Sequence, residues 1–134
     1  MRIDDGTFHT LVEHAREVRK NAYAPYSGFK VGAAVLCEDG KIFVGANVEN
    51  SSFGLTMCAE RVAIHNAISS GEKKIEALAI VAEKIAYPCG ACLQVIAEFA
   101  EDDLPIIIAD EKGEKVVKTK LFELLPKPFR LGGK

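Results

Sequence analysis

Cys58-Ala59-Glu60 stands at the head of one apolar-periodic segment and Pro88-Cys89-Gly90-Ala91-Cys92 opens another, so three thiols and one carboxylate are available to converge on a single ion. Thiolates are soft ligands, and zinc held by three protein ligands keeps a fourth position for water, which makes an open site catalytic rather than structural. Cys58 and the Cys89/Cys92 pair both fall at predicted helix N-termini, where unpaired backbone N–H groups favour the ionised, metal-binding form of the thiol. Glu60, two residues beyond Cys58, is placed to take a proton from water on that ion and to return protons to a substrate. Three thiolates more than neutralise Zn²⁺ and weaken its power to acidify water. Arg61, three residues after Cys58 on the same helical face, offsets that by donating hydrogen bonds to the sulfurs.

The competing arrangement is a closed zinc site with a histidine as fourth ligand. His65 lies seven residues after Cys58, about 10.5 Å along a helix axis, too far for both to grip one ion. His9 and His14 sit on the polar or boundary side of the first predicted helix and default to surface or packing roles. Cys37 lies in the apolar run 31–37 and reads as a buried core thiol.

These residues need a scaffold, and 134 residues suffice for one domain, 1–134, that buries roughly two thirds of its unfolded surface. No run approaches the roughly 20 apolar residues of a membrane span. The leading residues lack the apolar core of a signal peptide, which points to a reducing cytoplasm where thiols bind metal rather than pair. A net charge of -2 gives no general attraction to phosphate backbones, so nucleic acid is excluded as an expected partner. Lys112, Lys115, Lys118 and Lys120 are interrupted by Glu114 and lack interleaved aromatics; they read as a solvated face.

Phe8, Leu11, Val12, Ala15 and Val18 recur at helical spacing and predict an amphipathic helix over 6–21. Runs 29–38 and 41–48 predict antiparallel strands joined by a two-residue turn at Asp39-Gly40. Beyond them the pattern predicts a helix over 58–70, a strand over 75–83, a helix over 89–100, strands over 104–110 and 114–118, and a short helix over 120–125 stopped by Pro126. That order implies a three-layer α/β domain with a mixed five-stranded sheet.

A Cys followed two residues later by Glu, with P-C-x-x-C downstream, is the all-cysteine form of the zinc deaminase signature. With Tyr26-Ser27-Gly28-Phe29-Lys30-Val31-Gly32-Ala33-Ala34, Asn47-Val48-Glu49-Asn50, and Leu124-Leu125-Pro126 followed by Phe129, the chain resembles the small homotetrameric cytidine deaminases over almost its whole length. The resemblance implies a three-layer α/β/α fold of that family and zinc-dependent deamination of cytidine and 2'-deoxycytidine in pyrimidine salvage. It further implies that Asn47 and Glu49 hold the ribose hydroxyls, that Phe29 packs beside the pyrimidine, and that Phe129 reaches an active site in a neighbouring subunit of a homotetramer.

Three departures from the family pattern bear on substrate preference and rate. Leu93 stands where an arginine commonly follows the second CxxC cysteine, Phe53 where a tyrosine is common, and the stretch 82–87 is short. Two other readings stay open at this level: deamination of another aminopyrimidine or nucleoside antibiotic, and a nucleoside- or zinc-binding module without turnover. Editing within polynucleotides lacks the basic, aromatic groove it needs.

Overall fold

The computed structural model describes residues 3–131; Met1, Arg2 and residues 132–134, which the expected unit 1–134 includes, lie outside it. Asp4 caps the first helix, α1 (Asp5–Arg19), by accepting a hydrogen bond from the Thr7 N–H at 2.8 Å. Leu11, Val12 and Ala15 form its buried stripe. The strands β1 (Val31–Cys37) and β2 (Ile42–Ala46) pair antiparallel, and β1 also pairs antiparallel with β3 (Ile75–Ala82). β3 runs parallel to β4 (Pro105–Asp110), which pairs antiparallel with the edge strand β5 (Val116–Lys120). The sheet order is β2-β1-β3-β4-β5, mixed and five-stranded as expected.

Alternation along the strands divides the core in two. Ala34, Leu36, Ala77, Ala79 and Val81 face α1, and at Gly32 the helix lies so close to the sheet that an added Cβ would meet the Ala15 carbonyl oxygen at 2.0 Å. Ala33, Val35, Leu78, Ile80, Ile106 and Ile108 face the other way, onto α2 (Ala59–Ser69) and α3 (Gly90–Phe99), with α4 (Leu121–Leu124) beside them. Cys37 is buried in that second cluster, as its apolar neighbours predict. β2 and α2 meet at Gly45, where an added Cβ would lie 2.4 Å from the Ala63 nitrogen and 2.8 Å from the Ala59 carbonyl oxygen.

The local differences from the sequence pattern have identifiable causes. The β1–β2 connection is longer than the expected two-residue turn: the Gly40 N–H donates to the Cys37 carbonyl and the Cys37 N–H to the Lys41 carbonyl, each at 2.9 Å. Only Gly40 in this loop takes a positive φ, of 90°, so residues 38–40 form a type I turn closed by a left-handed glycine. β2 stops at Ala46 rather than Val48: the Asn47 N–H still donates to the Val31 carbonyl at 3.2 Å, but Val48 bridges to Tyr23 and Met57 instead of continuing the ladder. β5 starts at Val116 because the Asp110 carboxylate accepts from the Glu114 and Lys115 N–H groups, at 2.8 and 3.2 Å, and holds the preceding loop. The 3₁₀ turn Phe53–Leu55 had no apolar periodicity to announce it.

Candidate active site

α2 begins just after Cys58 and α3 just after Cys89, so both thiols occupy the N-cap position, yet neither makes a capping hydrogen bond. Cys92 follows in the first turn of α3. The two helix starts bring all three Sγ atoms within 4.8 Å of one another, with Cys89 and Cys92 at 3.4 Å. A tetrahedral ion with Zn–S bonds of about 2.3 Å needs sulfurs roughly 3.8 Å apart, so the spacing suits one zinc. His9, His14 and His65 are all exposed and none joins the group, so among the described residues no histidine closes the site.

Arg61 is the cation that touches the sulfur cluster. Its Nη2 donates to Cys58 Sγ at 3.5 Å, while its Nε is buried without an acceptor among the described residues. A leftover buried donor beside three thiols fits a cluster that gains negative charge as those thiols ionise on a metal. A hydrogen bond from Cys92, reinforced by Arg61, draws the Cys58 thiol down to about 5, and that bond with burial holds the Cys92 thiol far above its ordinary range. Leu93 is only 8 % exposed and packs with Ile96 and Ala97 in the core, so no second cation comes from that position.

Glu60 is 5 % exposed, and burial raises its pKa, with the Cys58 charge adding to the shift. It lines a cavity of about 280 Å³ together with Cys58 and Cys89. Phe29, Asn47 and Glu49 line the same cavity, so seven of the nine residues singled out from the sequence belong to it, to the sulfur cluster, or to both. Arg61 lies behind the sulfurs. Phe129 is elsewhere, 68 % exposed on the chain that follows α4. Larger grooves exist, one of about 490 Å³ between α1 and the starts of β3 and β4, but none gathers comparable ligands.

Asn47 and Glu49 also hold the cavity wall together. Asn47 Oδ1 accepts from the Val31 N–H and its Nδ2 donates to the Phe29 carbonyl, both at 2.9 Å. Glu49 accepts from the Ser27 hydroxyl and from the Tyr26 and Ser27 N–H groups, at 2.9 and 3.1 Å, and these bonds lower its pKa. Each keeps unused capacity for a ligand: a second amide hydrogen on Asn47 and further carboxylate lone pairs on Glu49.

Two supporting residues escaped the sequence reading. Gln94 donates its Nε2 to the Phe129 carbonyl at 2.6 Å and accepts from the Phe129 N–H at 3.2 Å. Arg130 donates to the Ala97 and Ala100 carbonyls and to Asp102. Together they pin the tail to α3 and leave the Phe129 ring outward. Nothing in the spacing signalled either contact, which joins segments more than 25 residues apart.

The match to the family model for the cytidine and deoxycytidylate deaminase zinc-binding region runs over residues 7–108. The chain is 46% identical over 121 residues to the cytidine deaminase of Sporosarcina psychrophila, covering 89% of this chain and 88% of that one. It superimposes on the crystal structure of cytidine deaminase from Burkholderia pseudomallei with a TM-score of 0.86 at 45% identity, covering 90% of this chain and 98% of the other. The cytidine deaminase from Mycobacterium tuberculosis gives a TM-score of 0.81 at 36% identity, with 97% and 100% covered. Because the matched span takes in the sulfur trio, Glu60 and every strand of the sheet except β5 and the end of β4, the chain belongs to the zinc-binding cytidine and deoxycytidylate deaminase family.

Proposed function

We propose that the protein deaminates cytidine and 2'-deoxycytidine hydrolytically, giving uridine or 2'-deoxyuridine and ammonia, in pyrimidine salvage. The observation that carries this reading is Glu60: a buried carboxylate, not one of the ligand trio, set beside three thiols in a nucleoside-sized cavity. A module that only bound zinc or nucleoside would gain nothing from burying it.

Cys58, Cys89 and Cys92 would hold zinc, and zinc, when bound, acidifies water for attack on a ring carbon. Glu60 takes one proton from the attacking water as the C4–O bond forms, and returns it to ring N3. It then moves the proton of the new C4 hydroxyl to the exocyclic nitrogen, which leaves as ammonia when the C4–N4 bond breaks. The raised pKa suits a group that must both accept and donate. Phe29 packs against the base, and Asn47 and Glu49 take the ribose hydroxyls with the capacity left over from the wall contacts. The cavity lining contains no lysine or arginine and two carboxylates, so a 5'-phosphate meets net negative charge and the free nucleoside is favoured over the nucleotide.

The chain acts as a single domain in a homotetramer that shares active sites, in the cytoplasm. Phe53 and Leu55, just before the cavity-lining Thr56, are 75 % and 67 % exposed, Tyr26 packs edge-on against Phe53, and the clamped Phe129 presents its ring to solvent. Such exposed apolar groups suit burial against other copies. Thiols that gather to bind a metal rather than pair suit a cytosolic setting.

The test is ammonia release from purified, metal-analysed protein given cytidine, deoxycytidine, cytosine and the monophosphates, with sedimentation of the same sample. Turnover of both nucleosides above base and nucleotides, with one zinc per chain and about four times the 14.5 kDa chain mass, is expected. Preference for a monophosphate or for the free base would reject the substrate assignment, and a monomeric active species would reject the shared site.

A further inference from the structure

Tyr87 lines the cavity two residues before Cys89, and the mechanism gives it no task. Two residues span at most about 7 Å of chain, so the Tyr87 backbone enters the cavity wall on the Cys89 side. Pro88 is buried and restricts Tyr87 to extended backbone, which fixes the direction in which its side chain leaves the chain. The residue is 57 % exposed, and among the described residues its hydroxyl has no hydrogen-bond partner. It is therefore a large aromatic ring held at the rim by its backbone, not a core anchor. Ala86, next to it, is small and lines the same wall.

The chemistry of the base decides which edge that wall meets. C4 must face the sulfurs, and N3 must face Glu60, which delivers its proton. The ring edge remaining beside C4 is C5, on the side away from Glu60. Glu60 comes from the start of α2, whereas Tyr87 comes from the segment entering α3, so the two line the cavity from different elements.

Resting on the cytidine deaminase reading above, we propose that Tyr87 is a specificity-determining residue that closes the space beside C5 and discriminates against cytidines carrying a 5-substituent. The aromatic ring, not the hydroxyl, does this, because the exclusion is steric. One methyl group against a shaped pocket is worth roughly 10- to 200-fold in kcat/KM.

The experiment compares kcat/KM for cytidine, 5-methylcytidine and 5-bromocytidine in wild type, Tyr87→Ala, Tyr87→Ser and Tyr87→Phe, with zinc content and melting temperature measured on each. The expected result is that Tyr87→Ala and Tyr87→Ser raise the 5-substituted/cytidine ratio at least tenfold, while Tyr87→Phe leaves it within twofold of wild type. Because each ratio is internal to one protein, partial loss of folded enzyme does not move it. An unchanged ratio in both small variants overturns the proposal, as does an equal rise in Tyr87→Phe, which would assign the effect to the hydroxyl. Wild-type protein inert toward cytidine removes the deaminase reading itself, a failure visible before any variant is compared.

Discussion

Gly45→Ala tests whether the contact between β2 and α2 sets the position of the proposed catalytic groups. An alanine Cβ there would sit 2.4 Å from the Ala63 nitrogen and 2.8 Å from the Ala59 carbonyl and the Val62 carbonyl carbon, all backbone atoms of α2 that cannot rotate away. Restoring ordinary contact at 3.4 Å moves the helix by about 1 Å. Overpacking of this kind costs about 1 to 3 kcal/mol. A chain of this length loses roughly 3 to 5 °C of melting temperature per kcal/mol, so a drop of about 3 to 15 °C is expected. The functional consequence follows from what α2 carries: Cys58 stands at its N-cap position and Glu60 and Arg61 lie in its first turn, whereas Cys89 and Cys92 stand at the start of α3. A 1 Å displacement of α2 alone opens the sulfur triangle and moves the carboxylate off its line, which costs about 10²-fold in turnover. Gly32→Ala is the control. Its Cβ would meet the Ala15 carbonyl oxygen at 2.0 Å, a worse clash, but against α1, which carries no proposed site residue. Thermal unfolding, bound zinc and kcat per folded molecule are measured on both. Full turnover in Gly45→Ala, or an equal loss per folded molecule in Gly32→Ala, would refute the claim that this contact positions the chemistry.

Glu60→Gln should keep zinc and lose about 10² to 10⁴ in kcat, read by ammonia release alongside metal analysis. Burial raises the folded-state pKa of Glu60 above its ordinary 4.5, so its contribution to stability is present below that value and is lost as pH rises through the raised one. Metal-free Glu60→Gln should therefore melt above metal-free wild type at pH 7 to 8, the gap closing below pH 4.5; a gap that grows in acid contradicts this. In the metal-free protein Cys58, held down to about 5, should be alkylated by iodoacetamide at pH 7 well before Cys37, which burial pushes up to about 12. Peptide mapping should show that order, protection of Cys58 by zinc, and loss of its reactivity as pH falls through 5. Arg61→Ala should weaken zinc binding by about 10- to 100-fold and lower turnover, and competition with a chelator that finds unchanged affinity would remove the role assigned to Arg61.

How far this site was legible depended on the scale at which each interaction is encoded. The sulfur trio, Glu60 and Arg61 are written in short spacings because helix geometry converts them directly into position: Arg61 reaches Cys58 because three residues make nearly a turn. The layers were legible from the order of helices and strands, whereas 31–37 and 75–82 are apolar almost throughout, so which of their side chains face α1 and which face α2 and α3 emerged only with the fold. What stayed hidden was encoded between distant segments. Gln94 looks like an ordinary helix residue until the tail returns 35 residues later to meet it, and Gly45 looks like a weak point in a strand until α2 is laid across it. Asn47 and Glu49 lie between these cases. The resemblance implied ribose contacts for both, whereas their bonds to Val31, Phe29, Tyr26 and Ser27 give them a prior duty that no local pattern states. The same side chains thus brace the wall and face the cavity, so a substitution at either position disturbs the shape of the pocket along with any contact to the sugar. A rise in KM at Asn47→Ala or Glu49→Ala carries information about sugar recognition only when it is larger for cytidine than for a base-only ligand occupying the same wall, because deformation of the 26–31 segment acts on both and a lost hydroxyl contact acts on one.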